Sequence, residues 1–194
     1  MPQYTWIDPK AEVLGRSASG MVSNIKHEEI DEILKKHHLD QMDMNGWYPV
    51  QAVLDVLSEV SDNTNASENL VAVGMRVGEI GVVNLPAEFA NASLVQVLEA
   101  YCTTIFQGRH RGNVGTLSLN KDDPSHLIVT ACVPYPDDLI YGIFFAYARH
   151  FTPRGERFVV RYDETIPRRE QGGDKTIIHI LLGPGKPPDS GAKK

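Results

Sequence analysis

The chain has 194 residues, of which 42% are hydrophobic and 23% are charged, and this is typical of one globular domain that buries a core without disulfides. No stretch approaches about 18 apolar residues without a charge, which argues against a membrane span. The start of the chain lacks the basic residues and apolar run of a secretory signal. Cys102 and Cys132 are not in CxxC spacing, so we expect reduced thiols in a cytoplasmic protein and no zinc site.

The net charge of −6 is unevenly distributed along the chain. Residues 1–100 contain 15 acidic and 6 basic residues, a net charge of −9, whereas residues 101–194 contain 10 and 13, a net charge of +3. The acidic first half argues against general nucleic-acid binding, which requires a basic footprint. The basic second half suits an anionic ligand, although charged residues on the solvent face of a sheet are the simpler explanation.

The first half of the chain is predicted to be helical after an extended N-terminal arm. Residues 1–22 mix Pro, Gly and Ser with few periodic apolar positions, which is typical of such an arm. Predicted helices then begin near residue 24 and at Pro49, and two more span residues 68–80 and 91–107. In the third of these, Gly74 and Gly78 lie four residues apart, a spacing that lets another backbone approach closely.

Beyond Gly108 the apolar spacing changes from helical to alternating. Strands are predicted over residues 113–119, 126–133, 157–163 and 175–182, and a deeply buried helix over residues 137–151. Short connections favour antiparallel pairing. The predicted fold class is therefore α+β, with N-terminal helices followed by a β-β-α-β-β antiparallel sheet unit. Residues 23–182 form a single domain in this interpretation, and residues 183–194 a disordered tail.

Three segments, in this order and spacing, resemble a known superfamily. They are WYPVQAVLDVL (47–57), RHRGNVG (109–115) with PYPDDLIYGIFFAYARHF (134–151), and RREQGGDKTIIHILL (168–182). Together they resemble the ligand-binding domain shared by 4-vinyl-reductase domains, haem nitric-oxide-binding-like domains and subunits of the TRAPP transport complex. The resemblance covers roughly residues 45–182.

The resemblance implies a pocket between the helices and the sheet, dimerisation through helices, and small-molecule sensing more often than catalysis. Relatives often carry Cys where this chain has Asp137, and further Cys near the positions of Arg168 and Lys175. Their absence argues against a metal or thiol role. The haem-binding branch also needs a proximal His and a Tyr-x-Ser-x-Arg contact to the haem propionates, and this chain has no such motif. No cofactor is therefore evident, and haem or another tetrapyrrole is the less favoured alternative.

The candidate ligand-binding residues are a basic loop and a set of aromatic side chains. Arg109, His110 and Arg111 follow a predicted helix end and precede a strand, where two guanidinium groups can clamp a carboxylate or phosphate. The alternative is an exposed basic turn. The aromatic candidates are Tyr135, Tyr141, Phe144 and Tyr147. They can line a pocket for an apolar ligand, although core packing is the commoner role at this spacing.

No catalytic motif is recognisable. The segment HEEID lacks the second His of a zincin, GRSASG does not match G-x-S-x-G, and no His pair has ligand spacing. Caps and turns explain the paired acidic residues Asp137/Asp138 and Asp122/Asp123. We expect a dimeric sensor-type domain that binds a small hydrophobic or anionic ligand. The alternatives are a reductase acting on a vinyl tetrapyrrole and a non-catalytic structural adaptor.

Overall fold

The structure is a computed structural model that describes residues 4–25, 30–61 and 66–183. In chain order its elements are β1 (Glu12–Leu14), α1 (Gly15–Val22), α2 (Ile30–Lys36), β2 (Trp47–Pro49), α3 (Val50–Ser61), α4 (Ala66–Val83), α5 (Leu94–Ala100), α6 (Phe106–Gly108), β3 (His110–Arg111), β4 (Thr116–Asp123), β5 (His126–Cys132), α7 (Asp137–Phe151), β6 (Phe158–Tyr162) and β7 (Thr176–Leu182). A π-helical segment, Tyr101–Ile105, joins α5 to α6. Of the tail predicted over residues 183–194, residues 184–194 lie outside the described residues.

The predicted α+β class and the β-β-α-β-β order are confirmed. Strands β4, β5, β7 and β6 lie in this spatial order, and every neighbouring pair is antiparallel. Alternate residues of the two central strands are fully buried, among them Val129 and Ile178. Helix α7 packs on this side of the sheet. The helix is apolar around most of its circumference, so it needs burial on more than one side.

The sheet half and the helical half meet along α4 and α7, which pack backbone to backbone. A Cβ atom added to Gly74 would lie 2.1 Å from the carbonyl oxygen of Leu139, and one added to Gly142 would lie 2.2 Å from that of Val71. Side chains at these positions would force the helices apart. The close approach predicted from Gly74 and Gly78 is confirmed, and its partner is α7 of the same chain.

The N-terminal segment differs from the predicted extended arm. Residues 12–14 form β1, which pairs with β2 and with β3, and residues 15–22 form α1. Burial of Val13, Ala18 and Val22 stabilises both elements. A three-residue strand and an eight-residue helix rich in Gly and Ser show too little periodicity for recognition from the sequence.

Helix α7 spans the predicted residues 137–151, but its acidic residues do not cap it. The N-cap position is Pro136, and Asp137 and Asp138 lie in the first turn, where they complement the helix dipole. Asp137 is buried and accepts hydrogen bonds from the hydroxyl of Thr176 and the backbone N–H of Glu170. Among the described residues, no helix is both long enough and apolar enough to cross a membrane.

Candidate functional site

A cleft of about 270 Å³ lies between α1 and α4, and the turn after α6 contributes Arg109 to it. We call it the helical cleft. Its lining residues are Leu14, Arg16, Ser17, Gly20, Val77, Ile80, Gly81, Asn84 and Arg109. The lining joins apolar side chains with a few polar groups, which is the usual composition of a small-molecule site.

Backbone hydrogen bonds hold the start of α1 beside Arg109. The N–H of Leu14 donates to the carbonyl oxygen of Arg109 at 2.9 Å, and the N–H of Gly15 donates to the carbonyl oxygen of Gly46 at 2.8 Å. A Cβ atom on Gly15 would lie 2.0 Å from the carbonyl oxygen of Asp43, so glycine permits this contact. These bonds determine which residues of α1 face α4 across the cleft.

Arg109 is a half-buried residue, and its guanidinium group has no hydrogen-bond or ion-pair partner among the described residues. The other arginine of the cleft, Arg16, is exposed and donates to the Oδ1 atom of Asn45 at 2.6 Å. Arg109 is therefore the cation of this cleft that is available to a ligand. An unpaired guanidinium group on a half-buried residue favours binding of an anion.

Two buried hydroxyl groups behind the cleft wall lack partners. The Ser17 Oγ and the Tyr147 hydroxyl are inaccessible to solvent and form no hydrogen bond. The Tyr147 hydroxyl packs against the cleft wall, 2.6 Å from where a Cβ atom on Gly81 would lie. Burial raises the pKa of Tyr147 to about 12, and the positive charge of Arg109 opposes this rise. Because buried polar groups are normally paired, two unpaired hydroxyls beside one cavity are unusual.

The predicted residues His110 and Tyr135 bond to each other. His110 Nε2 lies 2.6 Å from the Tyr135 hydroxyl, and His110 Nδ1 lies 2.7 Å from the carbonyl oxygen of Phe106. Burial lowers the pKa of His110, so the neutral ring donates from Nδ1 and accepts from Tyr135. The structure places this pair in a saturated network and outside the lining of the helical cleft.

Arg111 lies apart from Arg109. It is exposed, its guanidinium carbon lies 3.9 Å from the ring centroid of Trp47, and its Nη1 atom lies 3.9 Å from Glu12 Oε2. The two guanidinium groups of the predicted clamp are therefore not brought together in one cavity. A cation–π contact on an exposed surface explains Arg111 without a ligand.

Of the aromatic candidates, Phe144 and Tyr147 lie in the core, with exposures of 0% and 1%. Both pack on Tyr101, with ring-centroid distances of 5.8 and 5.3 Å. Tyr141 is elsewhere, and its hydroxyl donates to the carbonyl oxygen of Val160 at 2.8 Å. The seven predicted ligand residues therefore do not share one site, and ligand contact by Arg109 stays a prediction that its position supports.

Tyr141 lines a larger and more open cleft of about 680 Å³ beside β6 and the loop that follows it. Two of its charged residues, Arg168 and Asp163, are engaged with neighbours, whereas the Nε atom of Arg161 is buried without a hydrogen-bond partner. Arg168 lies 3.2 Å from Asp138 Oδ1 and stacks on Tyr162. Asp163 accepts from Thr165 and His179, and these hydrogen bonds hold the pKa of its carboxyl group far below the usual range.

A histidine pair on the sheet has no signal in the sequence. His126 Nε2 and His179 Nδ1 are 2.8 Å apart, and His179 Nε2 lies 2.9 Å from Asp163 Oδ2. His179 is buried, with an exposure of 8%. Strand pairing brings these side chains together across 53 residues. Within the described ranges, no group of three or more His, Cys, Asp or Glu residues is arranged to hold a metal ion.

Sequence comparison and fold comparison give different results for this chain. No family model matches it, and no curated protein matches it. Solved H-NOX proteins have the same fold. The H-NOX protein from S. oneidensis in the Fe(II)NO ligation state is 14% identical, with a TM-score of 0.64 over 87% of this chain and 98% of that chain. Unliganded Fe(II) H-NOX from K. algicida is 11% identical, with a TM-score of 0.63 over 89% and 97%.

A Tt H-NOX variant is 17% identical, with a TM-score of 0.63 over 87% of this chain and 92% of that chain. At these identities the likeness shows the fold alone. The predicted resemblance to haem nitric-oxide-binding-like domains is thus confirmed at the level of the fold. The resemblances to 4-vinyl-reductase domains and to TRAPP subunits stay predictions.

The helical cleft does not fit haem. Haem iron in proteins is held by His, Cys, Met or Tyr, and the lining of the helical cleft contains none of them. His110, which directly follows Arg109, has both ring nitrogens in hydrogen bonds. The volume of about 270 Å³ is also at the lower limit for a site that binds an ordinary small ligand. A haem macrocycle needs more space than such a ligand.

Proposed function

We propose that this chain is a sensor-type domain that binds a small molecule, without haem, in the helical cleft between α1 and α4. The observation that carries the proposal is the unpaired guanidinium group of Arg109, a half-buried residue, in a cavity of about 270 Å³. The H-NOX likeness supplies a fold that is also found in a solved protein in the Fe(II)NO ligation state.

Two buried hydroxyl groups near the cleft lower the stability of the chain. A buried hydroxyl without a partner costs about 1–3 kcal/mol. The Ser17 Oγ and the Tyr147 hydroxyl therefore leave the unliganded chain less stable than it would be with apolar side chains there. Unsatisfied polar groups of this kind are rare in folded proteins, and each calls for an explanation.

The position of the cleft suits a sensor because a bound molecule would contact α1 and α4 together. Helix α4 packs along α7, and α7 lies on the sheet. Occupancy would thus stabilise the mutual arrangement of the N-terminal segment and the rest of the chain. No further residues are needed to link the ligand to the sheet half.

A cleft-filling variant provides the control for the experiment. Gly20 lines the helical cleft, and a Cβ atom there would meet no atom within 4 Å. Leu at this position in α1 also improves helix propensity. Gly20→Leu should therefore fold at least as well as the wild type while occupying the space of the ligand. Gly155 also has open surroundings, but its φ of +93° would strain a Leu there. Arg111→Ala is therefore the better control, because Arg111 stacks on Trp47 and does not line the cleft.

The test is native mass spectrometry and an absorbance spectrum of protein purified without added ligand, followed by a fragment screen read by thermal stability. We expect a bound small molecule, or screen hits, in the wild type and Arg111→Ala and their loss in Gly20→Leu. A Soret band at one haem per chain after incubation with haemin, abolished by Gly20→Leu, would overturn the haem-free part. Hits that all survive in Gly20→Leu, or no hits at all, would overturn the site.

The predicted homodimer and the absence of nucleic-acid binding stay predictions. Size-exclusion chromatography with light scattering measures the first directly. If the chain is a dimer and its mass does not change when ligand is added, the response to ligand is a change within each chain and not a change in oligomeric state.

A further inference from the structure

We infer that the free edge of β6, the edge that does not pair with β7, pairs with the same edge of a second copy of this chain. The two four-stranded sheets then join into one. This inference goes beyond the proposed function, because β6 contributes no residue to the helical cleft. It follows from the direction of the backbone groups of β6, the order of its side chains and the open space beside it.

The backbone groups of alternate residues of β6 point away from β7. Strand β6 stands at the end of the spatial order β4-β5-β7-β6 and pairs with β7. The N–H of Asp163 donates to the carbonyl oxygen of Ile177 at 2.9 Å. Because this direction alternates along a strand, the odd-numbered residues bond to β7. The residues whose N–H and C=O groups point to the free edge are Phe158, Val160 and Tyr162.

A contact from α7 agrees with this direction. The carbonyl oxygen of Val160 accepts from the hydroxyl of Tyr141 at 2.8 Å, as expected of a group that points away from β7. A carbonyl oxygen has two lone pairs, so this one can accept a second hydrogen bond from a partner strand. A row of outward-pointing N–H and C=O groups is a template on which another strand can pair.

The charges at the two ends of the segment RFVVRYD (157–163) are self-complementary. When two copies pair antiparallel about a two-fold axis at Val160, Arg157 of each lies opposite Asp163 of the other. Arg157 is exposed, and its guanidinium group has no ion-pair partner among the described residues. These two residues form a pair of the kind that is not hydrogen-bonded, in which the Cα atoms are about 4.5 Å apart and the side chains are close. Opposite charges at such positions stabilise strand pairing.

The same register satisfies the outward-pointing backbone groups. It places Phe158 opposite Tyr162 of the partner and Val160 opposite its own copy, and each such pair exchanges two N–H···O bonds. Phe158 and Tyr162 lie on the α7 side of the sheet, where Phe158 packs on Phe145 with a ring-centroid distance of 5.3 Å. Aromatic pairs across two strands add to the stability of a sheet.

The arginine residues disfavour the neighbouring registers. Registers differ in steps of two residues, because only outward-pointing groups can bond across the edge. A step in one direction places Arg157 opposite Arg161, and a step in the other places Arg161 opposite its own copy. Like charges directly opposite each other are destabilising. In the register centred on Val160, Arg161 instead lies opposite Val159, a residue that is 49% exposed, and covers it with its apolar stem.

The open cleft of about 680 Å³ beside β6 leaves room at this edge. Residues 160–168, together with Tyr141 and Gln171, line it. Phe158 of the partner would enter this cleft opposite Tyr162. Arg168 stacks on Tyr162 and lies 3.2 Å from Asp138 Oδ1, so the chain itself fixes the wall on which the partner strand would pack.

The first experiment measures the dissociation constant of the dimer by sedimentation velocity over a wide range of protein concentration. We expect the wild type to form a species of twice the chain mass of 21.5 kDa. Arg157→Glu should raise the dissociation constant about 10-fold, because attraction becomes repulsion at both symmetric pairs. Arg157→Lys, which keeps the charge, and Arg154→Glu should stay within about twofold. Arg154 is also exposed but lies outside the paired segment, which makes Arg154→Glu the matched control.

The second experiment tests the register by disulfide cross-linking. The background is Cys132→Ser, since Cys102 is buried and Cys132 is more accessible. Val159→Cys and Arg161→Cys are made as separate proteins. In the register centred on Val160 these positions lie opposite each other, within the range of a disulfide. Each lies diagonal to its own copy, where Cα atoms are about 7–8 Å apart and do not cross-link. We therefore expect a cross-link on oxidation of the mixture and none in either protein alone.

A wild type that stays monomeric at every concentration would overturn the inference. So would a dimer that Arg157→Glu weakens no more than Arg154→Glu does, because the interface would then lie elsewhere, such as on the helices. A cross-link in Val159→Cys alone or in Arg161→Cys alone would show a different register. Circular dichroism melting establishes that each variant is folded, and the cross-linking decides if Arg157→Glu is not. Each of these failures leaves the proposed function of the helical cleft in place.

Discussion

Substituting Gly74 by Ala tests the helix contact on which the whole arrangement depends. The new Cβ atom would lie 2.1 Å from the carbonyl oxygen of Leu139 and 3.0 Å from the Cα atom of Gly142. Both neighbours are backbone atoms of α7, so relief requires α4 and α7 to separate. Overpacking of this kind costs about 1–3 kcal/mol, and the better helix propensity of Ala returns about 0.5–1 kcal/mol.

The same substitution at Gly20 is the matched control. A Cβ atom there meets nothing within 4 Å, so Gly20→Ala should raise the free energy of unfolding by about 0.5–1 kcal/mol. Gly74→Ala should lower it by about 1–2 kcal/mol. Against a typical total of about 5–15 kcal/mol, this difference is readily measured.

Urea denaturation followed by circular dichroism measures both changes, provided that the slopes of the transitions agree with that of the wild type. If Gly74→Ala were as stable as Gly20→Ala, the backbones of α4 and α7 would not be in contact at this position. The orientation of α4 along the helical cleft would then have to be revised.

Three further predictions concern titration, an unpaired hydroxyl and thiol reactivity. Desolvation and the charge of Asp137 raise the pKa of Glu170 to about 7. The protonated Glu170 side chain therefore stabilises the folded chain at low pH, and the free energy of unfolding falls as the pH rises from about 4.5 to 7. Glu170→Gln should reduce this fall in unfolding curves measured from pH 4 to 8. Tyr147→Phe removes a buried hydroxyl without a partner and should raise the free energy of unfolding of the unliganded chain by about 1 kcal/mol. If urea denaturation showed a decrease of similar size instead, the hydroxyl would be paired. Burial raises the pKa of Cys102 to about 12. A thiol reagent at pH 8 should therefore modify Cys132 first and Cys102 only when the chain unfolds. Equal rates of modification at the two thiols would contradict the described burial of Cys102.

The sequence by itself determined the C-terminal β-β-α-β-β unit. Its information is local, because alternating apolar residues define each strand and a nearly continuous apolar circumference defines the helix over residues 137–151. Short connections then leave antiparallel pairing as the simple arrangement. The glycine spacing in α4 also indicated a close backbone approach, although it did not identify α7 as the partner.

Only the tertiary structure decided where the candidate site lies. The helical cleft combines residues from α1, α4 and the turn after α6, and its lining residues Ser17, Gly20 and Asn84 carry no motif. The pairing of His126 with His179 likewise depends on strand register. Of the predicted basic loop, Arg109 lines the cleft and Arg111 stacks outside it, although only one residue separates them. Local periodicity records which side of an element is buried, whereas a cavity depends on the relative positions of elements that are distant in the chain.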